Sequence, residues 1–247
     1  MLSFLKNHPF AVEAFFTSSV VLTFAFPKSQ LEALIPECLT LDTLNDEWAF
    51  IAVALVQTKN LRPKGFPEIT GNDFMLAGYR IFVRYTTTTG KKLRGLYILK
   101  SETNKKLMQL FGNLFTHYNY TTTDLQAREE DNKMQITSLQ SGLNIRIESH
   151  DDVKLPIGSP FKDWKEARRF AGPLPFTFTY NHETAEVLII EGVRENWVPQ
   201  PVAVIDYYIP FIQSSTLSNG VLANAFIIRD IPYQWKKGKI EQWKIVK

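Results

Sequence analysis

Three polar side chains stand side by side in the middle of the chain, where a predicted helix is followed by a strand. They are His117, Tyr118 and Asn119. A histidine titrates near neutral pH, so His117 could act as a general base or acid. The simpler interpretation, which the sequence favours, is a hydrogen-bonded wall residue at a helix-to-strand turn. We therefore expect the three residues to line a pocket, and we assign them no reaction.

An arginine in a predicted strand is the next candidate. Alternation along the strand places Arg80 on the same face as Phe82. If that face is buried, the guanidinium needs a counter-charge or an anionic ligand, because an unpaired buried charge is costly. The sequence favours a structural ion pair with Asp73 or Glu102 over a bound anion. Arg84, on the same face, has the same two alternatives.

One tryptophan completes the candidate set. Trp197 follows Arg194 and Glu195 and could close one side of a pocket, although a chain with 13% aromatic residues also uses tryptophan in its core. His150 and the two aspartates after it lack the spacing of a known metal site, so a solvated turn is expected there. We expect neither a metal nor a cofactor.

Charge and cysteine content limit the partners and the compartment. The net charge is +3, and residues 234–247 alone hold five lysines against Glu241, so the rest of the chain is close to neutral. A terminal strand with a lysine-protected edge explains this tail more simply than contact with nucleic acid or an anionic membrane.

Cys38 is the single cysteine, which excludes an internal disulfide. The apolar run at residues 11–26 is interrupted and shorter than the ~20 residues of a membrane span. We expect a cytoplasmic protein that binds neither nucleic acid nor membrane.

The positioning elements are predicted to be mostly strands. A helix after Pro27, capped by Ser29, a second helix over residues 104–115 and a third over 164–170 are the only helical patterns. Many short strands with two or three helices are typical of one antiparallel barrel or sandwich with helices at its ends. The predicted strands are 18–26, 39–41, 48–57, 78–89, 93–100, 118–129, 133–139, 144–148, 176–180, 186–191 and 202–208.

Several short motifs occur in an order that is similar to a known superfamily. Residues 34–42, LIPECLTLD, resemble the Pro-Glu motif that follows the first strand and helix of the acetoacetate decarboxylase-like superfamily. Later landmarks are most similar to its uncharacterised, bacterial YqjF-like branch. They are Arg62-Pro63-x-Gly65-x-Pro67, residues 79–83, Gly95-Leu96-Tyr97, Phe115-x-x-Tyr118 and Trp197-Val198-Pro199. The resemblance implies a mainly β (α+β) fold: a closed or nearly closed antiparallel β barrel with an internal pocket and two or three peripheral helices. The length and the 45% hydrophobic content predict a single domain over residues 1–247.

The chain departs from the decarboxylases of that superfamily at the positions that carry their reaction. Those enzymes use one lysine of an adjacent pair as a Schiff-base nucleophile. The matching segment here begins at His117, and no lysine occurs over residues 107–132. The superfamily's first-strand arginine falls at Ala25, and Leu76 stands where the YqjF-like branch commonly has a glutamate. Decarboxylase activity is therefore not expected.

Three functional hypotheses remain open. The leading one is a small-molecule-binding barrel whose ligand is an organic acid or another apolar metabolite. The second is an enzyme of unknown reaction acting on a small carbonyl or carboxylate compound. The third is a non-catalytic scaffold or homo-oligomerisation domain with a filled interior. A cavity of at least ~300 Å³ would separate the first two from the third.

Overall fold

The computed structural model of the chain describes residues 3–171, 174–214 and 216–243. It is mostly β, with three α-helices in the described ranges: α1 (Lys28–Leu31), α2 (Lys106–Phe115) and α3 (Trp164–Ala171). The first strands are β1 (Val12–Pro27), β2 (Thr40–Leu41), β3 (Trp48–Pro63), β4 (Asn72–Thr86), β5 (Lys92–Thr103), β6 (Tyr120–Thr122), β7 (Gln126–Glu130) and β8 (Lys133–Ser138). The remaining strands are β9 (Leu143–Glu148), β10 (Phe176–Asn181), β11 (Glu186–Arg194), β12 (Gln200–Pro201), β13 (Ala203–Tyr208), β14 (Val221–Trp235) and β15 (Lys239–Gln242).

Seven of the described strands pair in a ring, in the order β14-β1-β3-β4-β5-β10-β11. The ring is completed where β11 pairs again with β14, through Gly192 opposite Trp235 and Arg194 opposite Tyr233. Its pairings are antiparallel except for β5 and β10, which run parallel. Four of its strands are 15 or 16 residues long, which is well above the usual five or six. Such length lets one strand contribute side chains at several levels of the ring.

The strands of the ring have two apolar faces. Leu22 and Phe24 of β1 pack with Ile145 and Ile147 of a four-stranded sheet, β13-β9-β8-β7, and we call this the packed face. Val21 and its β3 neighbour Ala54 lie in a separate cluster with Phe82 and Phe161, on what we call the cavity face. Because successive residues of a strand point to opposite sides, strands buried on both faces are nearly continuous apolar runs.

Several predicted elements are confirmed, with shifted ends. The hairpin β4–β5 and helix α2 form where predicted. β4 begins and ends earlier than predicted, and β5 extends beyond the predicted strand at both ends. The predicted strand over residues 118–129 is confirmed only in part. It is divided into β6 and β7, because the chain bends at Asn119 and again between these two strands. Ser29 lies inside α1, whose N-cap is Pro27, so the predicted capping role is wrong. The largest difference is β14, a long strand for which the sequence predicts none.

The C-terminal lysines lie partly in sheet. Lys236 pairs with Glu191 at 3.0 Å, and Lys239 of β15 pairs with Glu241 at 2.7 Å. Lys244 and Lys247 of the predicted basic tail lie outside the described residues. Across the described ranges, no helix has the length and apolar content needed to cross a bilayer.

Candidate functional site

A cavity of about 380 Å³ lies on the cavity face. Every strand of the ring contributes a side chain to its wall, and α2 covers one side with Met108, Phe111 and Phe115. One wall residue from each ring strand, in ring order, is Tyr233, Phe16, Ala54, Arg80, Leu96, Thr177 and Arg194. The volume lies within the range of small-molecule pockets. The cavity is therefore the natural place to look for a site.

Arg80 faces this cavity, and its Nε is buried with no hydrogen-bond partner among the described residues. The predicted ion pair with Asp73 or Glu102 is wrong. Asp73 pairs instead with Lys59 at 2.7 Å, and Glu102 with Lys100 at 2.8 Å. Each candidate carboxylate is therefore neutralised by a lysine, and Arg80 is left to the cavity.

Of the two alternatives for Arg84, the structure shows the structural ion pair. Together with Arg94 it binds the side chain of Asp42, which is fully buried, at 2.5 and 2.6 Å respectively. Asp42 is the last residue of the LIPECLTLD motif. That motif therefore ends in a buried carboxylate, whose ion pairs with two partly exposed arginines tie β4 and β5 to the segment after β2.

Arg194 lies between two aromatic rings at the cavity wall. Its Cζ is 4.4 Å from the ring centroid of Trp197 and 5.5 Å from that of Tyr233. Nη1 donates a hydrogen bond of 3.1 Å to the Tyr233 hydroxyl. Nη2 of Arg194 and Nε1 of Trp197 are buried without an acceptor in the described part of the chain. We refer to the three nitrogen atoms Arg80 Nε, Arg194 Nη2 and Trp197 Nε1 as the unpaired donors. The buried Tyr118 hydroxyl in the same wall also has no hydrogen-bond partner among the described residues.

The charge of Arg80 acts on Arg194. Burial lowers the pKa of Arg194, and the positive charge of Arg80 acts in the same direction, while Tyr233 raises it. Arg62 also reaches the wall, but it pairs with Glu13 at 2.8 Å and donates to the Phe66 carbonyl at 3.0 Å. Among the described wall residues there is no aspartate, glutamate or lysine. The cavity therefore presents uncompensated positive charge.

Of the three adjacent candidates, only Tyr118 lines the cavity. Burial raises the pKa of Tyr118, whose hydroxyl lies near Thr177 and Arg80, so that hydroxyl is a protonated group at neutral pH. Asn119 is exposed, with a left-handed φ of 51° that asparagine tolerates well. His117 is partly buried outside the cavity wall, where burial and the nearby Lys6 lower its pKa. Adjacent residues at this bend do not share a face, so the candidate trio is divided.

Two wall residues were missed by sequence reasoning. His8 is buried, and its Nδ1 has no partner within the described ranges. Burial lowers the pKa of His8, so the ring is neutral near pH 7. It precedes β1, and no local pattern marks it. Arg194 is three residues before the candidate Trp197. Its position in the wall depends on the long-range pairing of β11 with β14.

A second depression, of about 370 Å³, lies at the surface beside α1. Its wall includes Lys28 and Asp46, which pair with each other at 2.7 Å and are both solvent-exposed. Exposed polar groups can form hydrogen bonds with water. This depression therefore offers a ligand no buried, unpaired donors like those of the cavity. Within the described residues, no group of three or more His, Cys, Asp or Glu side chains is arranged to hold a metal ion.

Solved structures with a similar fold include acetoacetate decarboxylases and other enzymes. An acetoacetate decarboxylase from Legionella pneumophila superposes with a TM-score of 0.62 at 10% identity, covering 95% of this chain and 88% of the other. An acetoacetate decarboxylase-like enzyme from Sphingomonas wittichii gives 0.51 at 11% identity, with 96% and 92% covered. The enduracididine biosynthesis enzyme MppR, complexed with pyruvate, gives 0.54 at 7% identity, with 95% and 89% covered. At these identities the likeness concerns the fold alone.

Sequence comparison identifies the family. No curated protein gives a significant match. Residues 15–223 match the DUF2071 family, described as "Uncharacterized conserved protein". That match covers β3, β4, β5, β10 and β11 completely, β1 from Phe15 onward, and the first three residues of β14. The superfamily resemblance predicted from the short motifs is confirmed: this chain belongs to the DUF2071 family and has an acetoacetate decarboxylase-like fold.

Proposed function

We propose that the protein binds a small organic molecule in the cavity and does not act as a Schiff-base decarboxylase. The observation that carries this proposal is the set of three unpaired donors in the wall of a cavity of about 380 Å³. A buried donor without an acceptor is costly, by roughly 1–3 kcal/mol each. A ligand that supplies acceptors removes that penalty.

The walls also argue against decarboxylation by the mechanism of the fold's named enzymes. A Schiff base needs a lysine amine inside the pocket, and the described wall contains arginines and a histidine but no lysine. Arginine keeps its proton and does not form this adduct. Binding is therefore the better supported function.

We further propose that the ring of strands encloses the cavity as a closed barrel in the cytoplasm. The return pairing between β11 and β14 supports closure, since it leaves the ring without a free edge at that point. The single cysteine, Cys38, fits a reducing compartment.

An enzyme is the second candidate, and one observation favours it. His8 is a neutral imidazole in the cavity wall with an unpaired ring nitrogen in the described structure, and the Tyr118 hydroxyl lies in the same wall. A base and a proton donor around one cavity are the minimum for proton transfer to a carbonyl compound. A ligand that binds and is chemically changed, with the change lost in His8→Asn, would move the assignment to this candidate.

A thermal-shift screen tests the binding proposal. The purified protein would be mixed with a broad panel of small acids, alcohols, amines, esters and ketones, because a ligand that binds the folded state raises Tm. We expect one chemical class to stabilise the protein and Arg80→Gln to reduce the shift. Arg229→Gln is the matched control, since Arg229 pairs with Glu129 on the surface away from the cavity wall. No shift with any class would contradict the proposal.

A further inference from the structure

Resting on that proposed function, we infer that the cavity selects an amphipathic oxyanion. A carboxylate, sulfonate or phosphonate headgroup binds between Arg80 and Arg194, and an apolar body extends toward α2. The ligand's charge, its hydrogen-bond acceptors and its orientation each follow from a different feature of the cavity wall.

The unpaired donors define the headgroup. A guanidinium and an indole N–H can donate hydrogen bonds and have no acceptor capacity, so these groups cannot pair with one another. The three atoms therefore need acceptors from outside the described protein. Two of them belong to cations, and no carboxylate stands among the described wall residues. An oxyanion supplies both the acceptors and the compensating charge, whereas an amine supplies neither.

The backbone around Arg80 leaves room for its guanidinium. A methyl group at Gly78 would lie 2.9 Å from Arg80 Nε and 3.0 Å from Nη2. The register partners of Gly78 are Ala54 on β3 and Ser101 on β5, which are also small and also line the cavity. This row of small residues makes the space in which the guanidinium lies over the sheet.

The row of residues that contains Arg80 continues as a polar layer. Arg80 pairs in register with Ala52, Ala52 with Thr23, and Thr23 with Asn224, and register partners project from the same face. The side chains of Thr23 and Asn224 are fully buried, and their polar atoms have no hydrogen-bond partner in the described chain. The layer at the level of Arg80 is therefore the polar end of the interior.

Aromatic packing closes the interior beyond that layer. Phe82 lies two residues beyond Arg80 on β4, and Phe50 two residues beyond Ala52 on β3. Phe50 stacks on Phe161 at 5.3 Å and contacts Phe170 of α3 at 5.5 Å. A ligand cannot leave through this packed cluster. The headgroup therefore lies deep, and the rest of the ligand must extend the other way.

The side of the cavity beside α2 is mainly apolar, although His8 lies there next to Phe115, and it reaches the surface at α2. Phe111 of α2 lines the cavity and is 42% exposed, as expected of a residue at the opening. Burying a hydrocarbon body against such a wall is favourable at about 25 cal/mol per Å². The apolar side chains available to it are Phe16, Phe74, Leu76, Met108, Phe115 and Trp235.

Isothermal titration of the full chain tests the inference with five six-carbon probes and with acetate. The six-carbon probes are hexanoate, hexane-1-sulfonate, hexane-1-phosphonate, 1-hexanol and hexylamine. Hexanoate and hexane-1-sulfonate share a tail with 1-hexanol and hexylamine and differ in headgroup. We expect both anions to bind, the alcohol to bind at least about tenfold more weakly, and the amine to give no heat of binding, because charged hydrogen bonds are worth about tenfold or more in affinity. Acetate, which lacks the tail, should bind more weakly than hexanoate. If only hexane-1-phosphonate binds, the headgroup is a phosphate-like dianion and the carboxylate assignment is wrong.

Variants connect the selectivity to the two arginines. Arg80→Gln and Arg194→Gln should each weaken hexanoate by about tenfold or more and leave 1-hexanol nearly unchanged. Arg80→Lys keeps the charge without the planar fork and should be intermediate, while Arg229→Gln should match the parent. Circular dichroism and Tm establish that each variant is folded. If Arg194→Gln does not fold, the two Arg80 variants alone decide.

Failure of the inference differs from failure of the proposed function. If 1-hexanol binds as tightly as hexanoate, or if both Arg80 variants keep the parent's affinity for hexanoate, the oxyanion assignment is overturned while small-molecule binding stands. If acetate binds as tightly as hexanoate, the apolar body is overturned. If no compound in the broad screen and none of these probes binds, the proposed function itself fails.

Discussion

The guanidinium of Arg80 lies directly over the α-carbon of Gly78, so that a methyl group at position 78 would be only 2.9 Å from Arg80 Nε. Two residues that alternation places on one face of β4 are thus coupled: the glycine has no side chain where the arginine needs space. This relationship makes the position of Arg80 testable without changing Arg80 itself.

Gly78→Ala should weaken binding of an anionic ligand by displacing the guanidinium. The contact is with the movable end of a long side chain, so we expect the fold to tolerate the change. A double-mutant cycle provides the control, since residues that act through one contact are non-additive. In an Arg80→Gln background, Gly78→Ala should have no further effect on affinity. Additive losses, measured by titration calorimetry, would mean that Gly78 acts independently of Arg80.

Tyr233→Phe should destabilise the protein in the absence of ligand. The change removes the acceptor of Arg194 Nη1, and a buried charged donor that loses its partner costs about 1–3 kcal/mol. The ring contact with Phe16, at 4.8 Å, is retained. Urea denaturation measures the free energy of unfolding, with Tyr208→Phe as the control because that side chain is 55% exposed. Equal stability of the two variants would argue against a structural role for the Arg194–Tyr233 bond.

Asp42→Asn should destabilise the fold and leave ligand affinity unchanged. Its fully buried carboxylate neutralises Arg84 and Arg94. These arginines are partly exposed, so water compensates some of the loss, and we expect about 1–3 kcal/mol. Asp206→Asn, which breaks an exposed pair with Arg146, should cost at most about 1 kcal/mol. Both variants would be unfolded in urea. If Asp206→Asn lowers the free energy of unfolding as much as Asp42→Asn does, the prediction is contradicted.

Stability should fall as the pH is lowered from about 6.5 to about 5, the region in which histidines titrate. The folded-state pKa values of His8 and His117 are both lowered by burial. The unfolded chain therefore binds protons first, so the folded state is favoured most above the unfolded pKa and loses stability as the pH falls toward the folded pKa. His8→Asn, which suits the left-handed φ of 52° at that position, should reduce the slope. His117→Asn should reduce it separately.

The double variant should show little pH dependence in this range. If the slope of unfolding free energy against pH is unchanged in the double variant, the two histidines are not its source. Titrating carboxylates would then be the first alternative, although their ordinary pKa values lie lower.

Much of the fold could be predicted from local pattern. The hairpin β4–β5, with its turn at Gly90, and the apolar periodicity of α2 both have strong local signals, and both form. The strand β14 could not be predicted in the same way. It contains Asn224, Asp230 and Pro232, and Asp230 has a left-handed φ of 53°, so neither alternation nor an unbroken apolar run marks it. Its identity as a strand depends on pairing with β1, which is about 200 residues away in sequence.

The candidate site could also be predicted only in part, because local patterns mark some of its residues and long-range pairing places the others. Arg80, Tyr118 and Trp197 were singled out by type and position, and all three line the cavity. That Asp73 and Glu102 pair with lysines and not with Arg80 could not be inferred. Lys59 of β3 reaches Asp73 across the β3–β4 pairing, and Lys100 reaches Glu102 from two residues earlier on β5. Arg194 and His8 enter the wall through long-range packing, which no local motif encodes.

A crystal structure with 6-bromohexanoate tests the central claim most directly, because it locates both ends of the ligand at once. The account predicts carboxylate density between Arg80 and Arg194, with Trp197 Nε1 donating to it, and an anomalous bromine peak on the apolar side toward α2. A bromine peak beside the two arginines would reverse the orientation. A ligand bound only outside the ring of strands, with the cavity empty, would contradict the account.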